Sequence, residues 1–146
     1  MDQRLSVITL GVADQAEARR FYLEALGWTP VLDVPGEITF IQVAPAVLLA
    51  LFDADELAAD IGSGRGTAPG VQNVTLAHNV GSAAEVDAVM ADAARAGATI
   101  LKEPQRAEWG GYHGYFADPA GTPWEVAYNP GWSVADDGAV TMGSTD

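Results

Sequence analysis

The sequence predicts an α+β fold made of two successive β-α-β-β-β modules. Three observations lead there. Strand-like alternating stretches flank amphipathic helical stretches, the same order of elements occurs twice, and matched residues in the two halves keep a near-constant offset. Thr9-Leu10 corresponds to Thr75-Leu76 at an offset of 66, and the helix-ending Gly27 corresponds to Gly97 at 70. A small insertion ahead of the second helix accounts for the difference.

The first module covers residues 5–52. "LSVITLGV" (5–12) alternates with the strand period, placing Leu5, Val7 and Thr9 on one face and Ile8, Leu10 and Val12 on the other. Asp14 is positioned to cap a helix through "QAEARRFYLEAL". Its stripe of Ala18, Phe21, Tyr22, Ala25 and Leu26 is expected to enter the core together with Trp28. Gly27 ends that helix, and "WTPVLDV", "EITFIQVA" and "AVLLALF" supply three strands. Residues 53–70, "DADELAADIGSGRGTAPG", begin as a short helix and end as a Gly-rich linker.

The second module covers residues 71–130 and opens with the strand "VQNVTLAHNV". Ser82 caps a helix whose stripe is Val86, Val89, Met90 and Ala93, and Gly97 stops it. "ATILKEP", "GYHGYFADP" and "PWEVAYN" are the last three strands. The tail 131–146 has weak periodicity and is expected to be a loosely attached surface arm of a single domain 1–146.

Composition narrows the function. A hydrophobic content of 49 % and a mean hydropathy of +0.09 describe a globular chain with room for a core. The absence of cysteine removes disulfides, thiolate metal sites and thiol nucleophiles. A net charge of −13 repels nucleic acid and anionic membranes, and favours a cation among charged ligands. The longest apolar stretch, 43–52, is too short to span a bilayer, and "MDQRLSV" lacks a signal-peptide plan, so a cytoplasmic protein is expected. "GSGRGTAPG" lacks phosphate-loop spacing, and no Ser-His-acid order occurs.

A strand followed by "VAD", a helix carrying "FY" and then "LGW" resembles the first module of the vicinal-oxygen-chelate superfamily, which includes glyoxalase I, bleomycin-resistance proteins and extradiol dioxygenases. "GYFADPAGTPWEVAYNP" resembles the closing hairpin of the second module. The resemblance covers nearly all of residues 5–130 and implies curved mixed sheets around a cavity, helices outside, and a homodimer. Metal-using members hold a divalent ion with one ligand from each of four strands, commonly two His and two Glu. The resemblance carries those positions onto Val7, Ala50, Asn73 and Glu125. Val and Ala offer no donor and Asn a weak one, so neither a metal nor another cofactor is expected. His78 lies five residues past Asn73, on the helix-facing side, and His113 would be a lone imidazole.

The candidate site follows from strand parity. Trp124, Val126 and Tyr128 share one face of the last strand, while Glu125, Ala127 and Asn129 share the other and look into the implied cavity. There Glu125 is a ligand-binding carboxylate or a general base, or else a carboxylate held by the hydroxyl of Thr9 or Thr75. In "EWGGYHGYF", Trp109, Tyr112 and Tyr115 are pocket-lining aromatics, with edge-strand packing around a Gly110-Gly111 bulge as the alternative. The leading reading is a metal-independent protein binding a cationic or aromatic, antibiotic-like small molecule, oriented by Glu125 and Asn73. The rival is a lyase or isomerase with Glu125 as base and His113 as acid. A ligand-free dimerisation module is the third.

Overall fold

The structure is a computed structural model that describes residues 1–62, 74–117, 121–136 and 138–143. The first module runs β1 (Val7–Val12), α1 (Gln15–Arg19), a π-helical turn (Arg20–Ala25), β2 (Pro30–Val34), β3 (Ile38–Ala44) and β4 (Val47–Asp53). After α2 (Ala54–Ile61) the order repeats as β5 (Val74–Asn79), α3 (Ala83–Arg95), β6 (Thr99–Arg106), β7 (Tyr112–Ala117) and β8 (Pro123–Tyr128). These eight strands form one curved mixed sheet in the order β2-β3-β4-β1-β5-β8-β7-β6.

The duplication is visible in the register. β1 pairs antiparallel with β5 at the sheet's centre, and Thr9 lies opposite Thr75, its own counterpart. Each module also contains one parallel pair, β1 with β4 and β5 with β8. The sheet is therefore two like halves related by a local two-fold between the paired threonines.

The two helical segments behave differently. Ser82 accepts from the Glu85 amide while Glu85 reaches back to Gly81, a reciprocal cap that starts α3. Its expected stripe is buried, with Val86 and Met90 packed under Val80, Phe116 and Val126. Asp14 likewise caps α1 through the Glu17 amide at 2.9 Å. Beyond Arg19, however, the backbone widens to π winding, and the Leu26 amide reaches the Phe21 carbonyl at 3.0 Å. One extra residue per turn shifts a 3.6-residue stripe off the sheet. Phe21, Tyr22 and Trp28 are thus not core residues: Phe21 is 53 % and Trp28 39 % exposed. They pack on one another instead, Phe21 edge to face with Tyr22 at 5.1 Å between centroids and Trp28 tilted against it at 5.2 Å.

The tail is also more tightly held than its pattern suggests. β9 (Trp132–Val134) and β10 (Val140–Met142) pair as an antiparallel ribbon. Trp132 meets Phe40 edge to face at 5.4 Å, and with Met142 it covers Val7, Leu48, Ala50 and Ala77. Strands of three residues are too short for a period to show in sequence. No helix among the described residues is long and apolar enough to cross a membrane. With α3 packed on one face of the second module, the opposite, concave face is left to line a cavity of about 840 Å³.

Candidate functional site

Parity along β7 and β8 aims alternate side chains into the cavity. His113, Tyr115, Glu125 and Ala127 point inward, and Tyr115 lies directly across the ladder from Glu125. His113 and Tyr115 are almost fully buried. Both rings form part of the cavity floor, and each buried polar atom on it requires a partner.

Those partners form one chain of contacts. His113 Nδ1 lies 2.8 Å from Glu125 Oε1, and His113 Nε2 lies 3.2 Å from Lys102 Nζ. Lys102 Nζ donates to Asp60 Oδ1 at 2.8 Å, while the Tyr115 hydroxyl donates to Asp60 Oδ2 at 2.7 Å. An ammonium can only donate, so Nε2 of His113 accepts. The ring's proton then sits on Nδ1 and is donated to Glu125. Burial, reinforced by the nearby Glu125 and Asp60 carboxylates, pushes the Tyr115 phenol well above its ordinary range, so it remains a donor.

Local backbone features place these groups. On β6 the register slips between Ile100 and Lys102 and again between Lys102 and Gln105, so two irregularities bracket the lysine and turn it inward. Gly114, next to Tyr115 which pairs with Lys102, eases this approach, because a Cβ there would lie 3.0 Å from the Lys102 carbonyl. Asp60 comes from α2, whose Leu57 and Ile61 are buried against Tyr115. Asp53 caps that helix by accepting from the Asp55 and Glu56 amides. Trp109 stands at the rim, half exposed, its ring 5.4 Å from that of His113 and folded over Gly111, where any Cβ would collide with the indole.

The expected site residues divide accordingly. Glu125, His113, Tyr115 and Trp109 come together around the cavity. Tyr112 does not: as the neighbour of inward-pointing His113 it faces α3, and its hydroxyl donates to Asp87 Oδ1 at 2.9 Å. Asn73 lies outside the described residues. Neither threonine holds Glu125, since His113 does, and among the described residues Thr75 Oγ1 is buried with no partner. His78 is buried off the cavity, with Nδ1 3.3 Å from the Arg4 carbonyl.

Lys102 and Asp60 were not singled out from sequence. The available signals were a rare cation within the apolar "ATILKEP" and a carboxylate beside the Leu57/Ile61 stripe.

The residues do not fit the metal that the resemblance implies. Val7 and Ala50 are buried in an apolar cluster. In register, the module-one counterpart of Glu125 is Phe52, because Gly11 pairs with Phe52 as Ala77 pairs with Glu125. Neither Ala50 nor Phe52 has a donor atom. A second set, Asp60, His113 and Glu125, brings one potential ligand atom from each within 4.8 Å of the others. There the Lys102 ammonium is already bonded to Asp60 and His113, and His113 turns an N–H, not a lone pair, toward Glu125. A divalent ion would have to expel a like charge and overturn that tautomer.

Comparison with known proteins agrees with this fold. The profile of the Glyoxalase/Bleomycin resistance protein/Dioxygenase superfamily matches residues 4–126. The chain is 39 % identical to a glyoxalase-related enzyme from Fulvimarina pelagi, covering 98 % of this chain and 100 % of that one, with a TM-score of 0.48. A superfamily member from Vibrio splendidus 12B01 is 14 % identical over 84 % of this chain and 95 % of its own, with a TM-score of 0.53. The Mn(II)-bound glyoxalase from Novosphingobium aromaticivorans is 20 % identical over 97 % of this chain and 41 % of its own, with a TM-score of 0.55. These last two likenesses concern the fold alone. No curated protein matches the chain.

Proposed function

For a chain that belongs to the glyoxalase/bleomycin resistance protein/dioxygenase superfamily, we propose a metal-independent lyase or isomerase that moves a proton on a small carbonyl compound, with Glu125 as the base. The observation carrying this reading is the 2.8 Å contact between Glu125 Oε1 and His113 Nδ1 on the cavity floor. A carboxylate used only to attract a ligand needs no buried imidazole behind it. A base does, because its lone pairs must be aimed at one carbon.

In this reading Glu125 takes a proton from the carbon beside the carbonyl. The electron pair of the broken C–H bond forms a carbon–carbon double bond to the carbonyl carbon, and the π pair of the carbonyl moves onto its oxygen. The proton then returns from Glu125 to the far end of the resulting enol system. His113 is a positioning residue here and not the expected acid, because its proton is already directed at Glu125. Trp109 at the rim stacks on the apolar part of the ligand.

One observation favours a second reading. The half-exposed Trp109, on a chain of net charge −13, is suited to holding an aromatic cation without reaction. We propose a homodimer in either case.

Deuterium exchange separates the two. Small aldehydes and ketones are incubated with the protein in heavy water and followed by proton NMR. The enzyme reading expects loss of the C–H signal beside the carbonyl of at least one compound. It also expects Glu125→Gln to slow that loss by about 10²–10⁴-fold. Exchange equal in Glu125→Gln, or absent throughout while an aromatic cation binds, would contradict it and leave the binding reading.

A further inference from the structure

We propose that Lys102 is a fixed cation beside Glu125 on the cavity floor, that it receives the oxygen on which negative charge develops, and that it thereby selects an uncharged aldehyde or ketone as ligand. This inference rests on the proposed reaction at Glu125 and identifies the group that completes it.

Hydrogen-bond geometry leaves one proton of Lys102 for a ligand. An ammonium has three protons, and among the described residues Lys102 spends two, on Asp60 Oδ1 and on His113 Nε2. The third has no hydrogen-bond partner among those residues, the Tyr115 ring lying 5.8 Å from Nζ, and the lysine lines the cavity with its side chain 21 % exposed. Two bonds and a bracketing pair of β-irregularities fix the head group, so the remaining N–H is aimed before any ligand arrives. A preoriented donor of this kind stabilises charge that develops during a reaction, because nothing must reorganise when it appears.

Lys102 balances Asp60, which leaves the Glu125 carboxylate as the surplus charge of the cluster. The other charges lining the cavity are Arg106 against Glu37 and Glu108, so an anionic ligand would add a further negative charge to a cavity already negative on balance, which Coulomb repulsion disfavours. A neutral carbonyl adds none. When Glu125 takes up the proton it becomes neutral, just as the ligand oxygen becomes negative, so the cluster carries the same total charge before and after. Lys102 therefore meets an oxyanion only in the state where Glu125 no longer repels it. The site thus discriminates in favour of uncharged carbonyl compounds and against oxo acids.

Acetate and acetamide form a matched pair of probes that needs no turnover, with binding followed through the Trp109 indole signal in NMR titrations. In wild type, acetamide should bind at least as well as acetate. In Glu125→Gln, with the surplus charge removed, acetate should gain by about ten- to a hundredfold over acetamide. That gain should vanish in Glu125→Gln/Lys102→Met. Should this variant unfold, Glu125→Gln/Asp60→Asn/Lys102→Met removes the opposing charge as well and is expected to lose the gain equally.

An acetate preference that survives loss of Lys102 would overturn the inference. So would an acetate preference already present in wild type, or uptake of one equivalent of Mn(II) by wild type. None of these results depends on proton exchange by Glu125, so they fail separately from the base reading.

Discussion

The Tyr115 hydroxyl donates to Asp60 Oδ2 at 2.7 Å, tying a strand of the second module to the helix that leaves the first. With Leu57 and Ile61 packed on the same ring, this bond seats α2 against the sheet and holds the counter-charge of Lys102 in place.

Tyr115→Phe keeps the ring and removes the donor. The substitution should lower the unfolding free energy by about 1.5–3 kcal/mol, the range for a hydrogen bond to a charged acceptor. Urea denaturation of the two proteins measures it. An unchanged midpoint would mean that the bond does not hold α2.

Acid sensitivity should involve His78. Burial holds its pKa below the ordinary 6.5, so on acidification the unfolded chain takes up this proton before the folded one. Its contribution to stability is complete above 6.5 and is lost as the pH falls toward the lower folded value. Melting temperature should therefore drop between about pH 7 and 5 in wild type and drop less in His78→Leu. Parallel slopes for the two proteins would contradict this.

Phe21 and Trp28, joined through Tyr22, form an exposed apolar patch on the first module, where Leu26 and Val31 are also exposed. A second copy of the chain is expected to cover it. Sedimentation at micromolar concentration should show a dimer, and Phe21→Glu should shift it to monomer without unfolding, because the π turn buries no residue. A wild type that sediments only as monomer would exclude this interface.

Much of this architecture was legible in sequence. Strand alternation, the Asp14 and Ser82 caps and the offset of 66 between Thr9 and Thr75 led to the duplicated unit found in the sheet. Strand parity likewise turned Glu125 toward the cavity. What pattern could not show was winding: the π turn after Arg19 keeps an amphipathic stripe yet turns it outward. Nor could it show convergence. Asp60, Lys102 and Glu125 lie on three elements, and only the closing of the sheet, with slips on either side of Lys102, brings them to one imidazole. Tyr112 failed by one residue, because its neighbour, and not it, occupies the inward position.

His113 is held between Lys102 and Glu125, with Nε2 accepting from the ammonium and Nδ1–H donated to the carboxylate. Nitrogen-15 NMR of histidine-labelled protein near neutral pH reads this directly. His113 should show a protonated, pyrrole-like Nδ1 and a pyridine-like Nε2, unchanged by added Mn(II). In Lys102→Met, Nε2 should shift, because it loses the ammonium it accepts from. A proton on Nε2 in wild type, or a His113 signal broadened stoichiometrically by Mn(II), would rule this arrangement out.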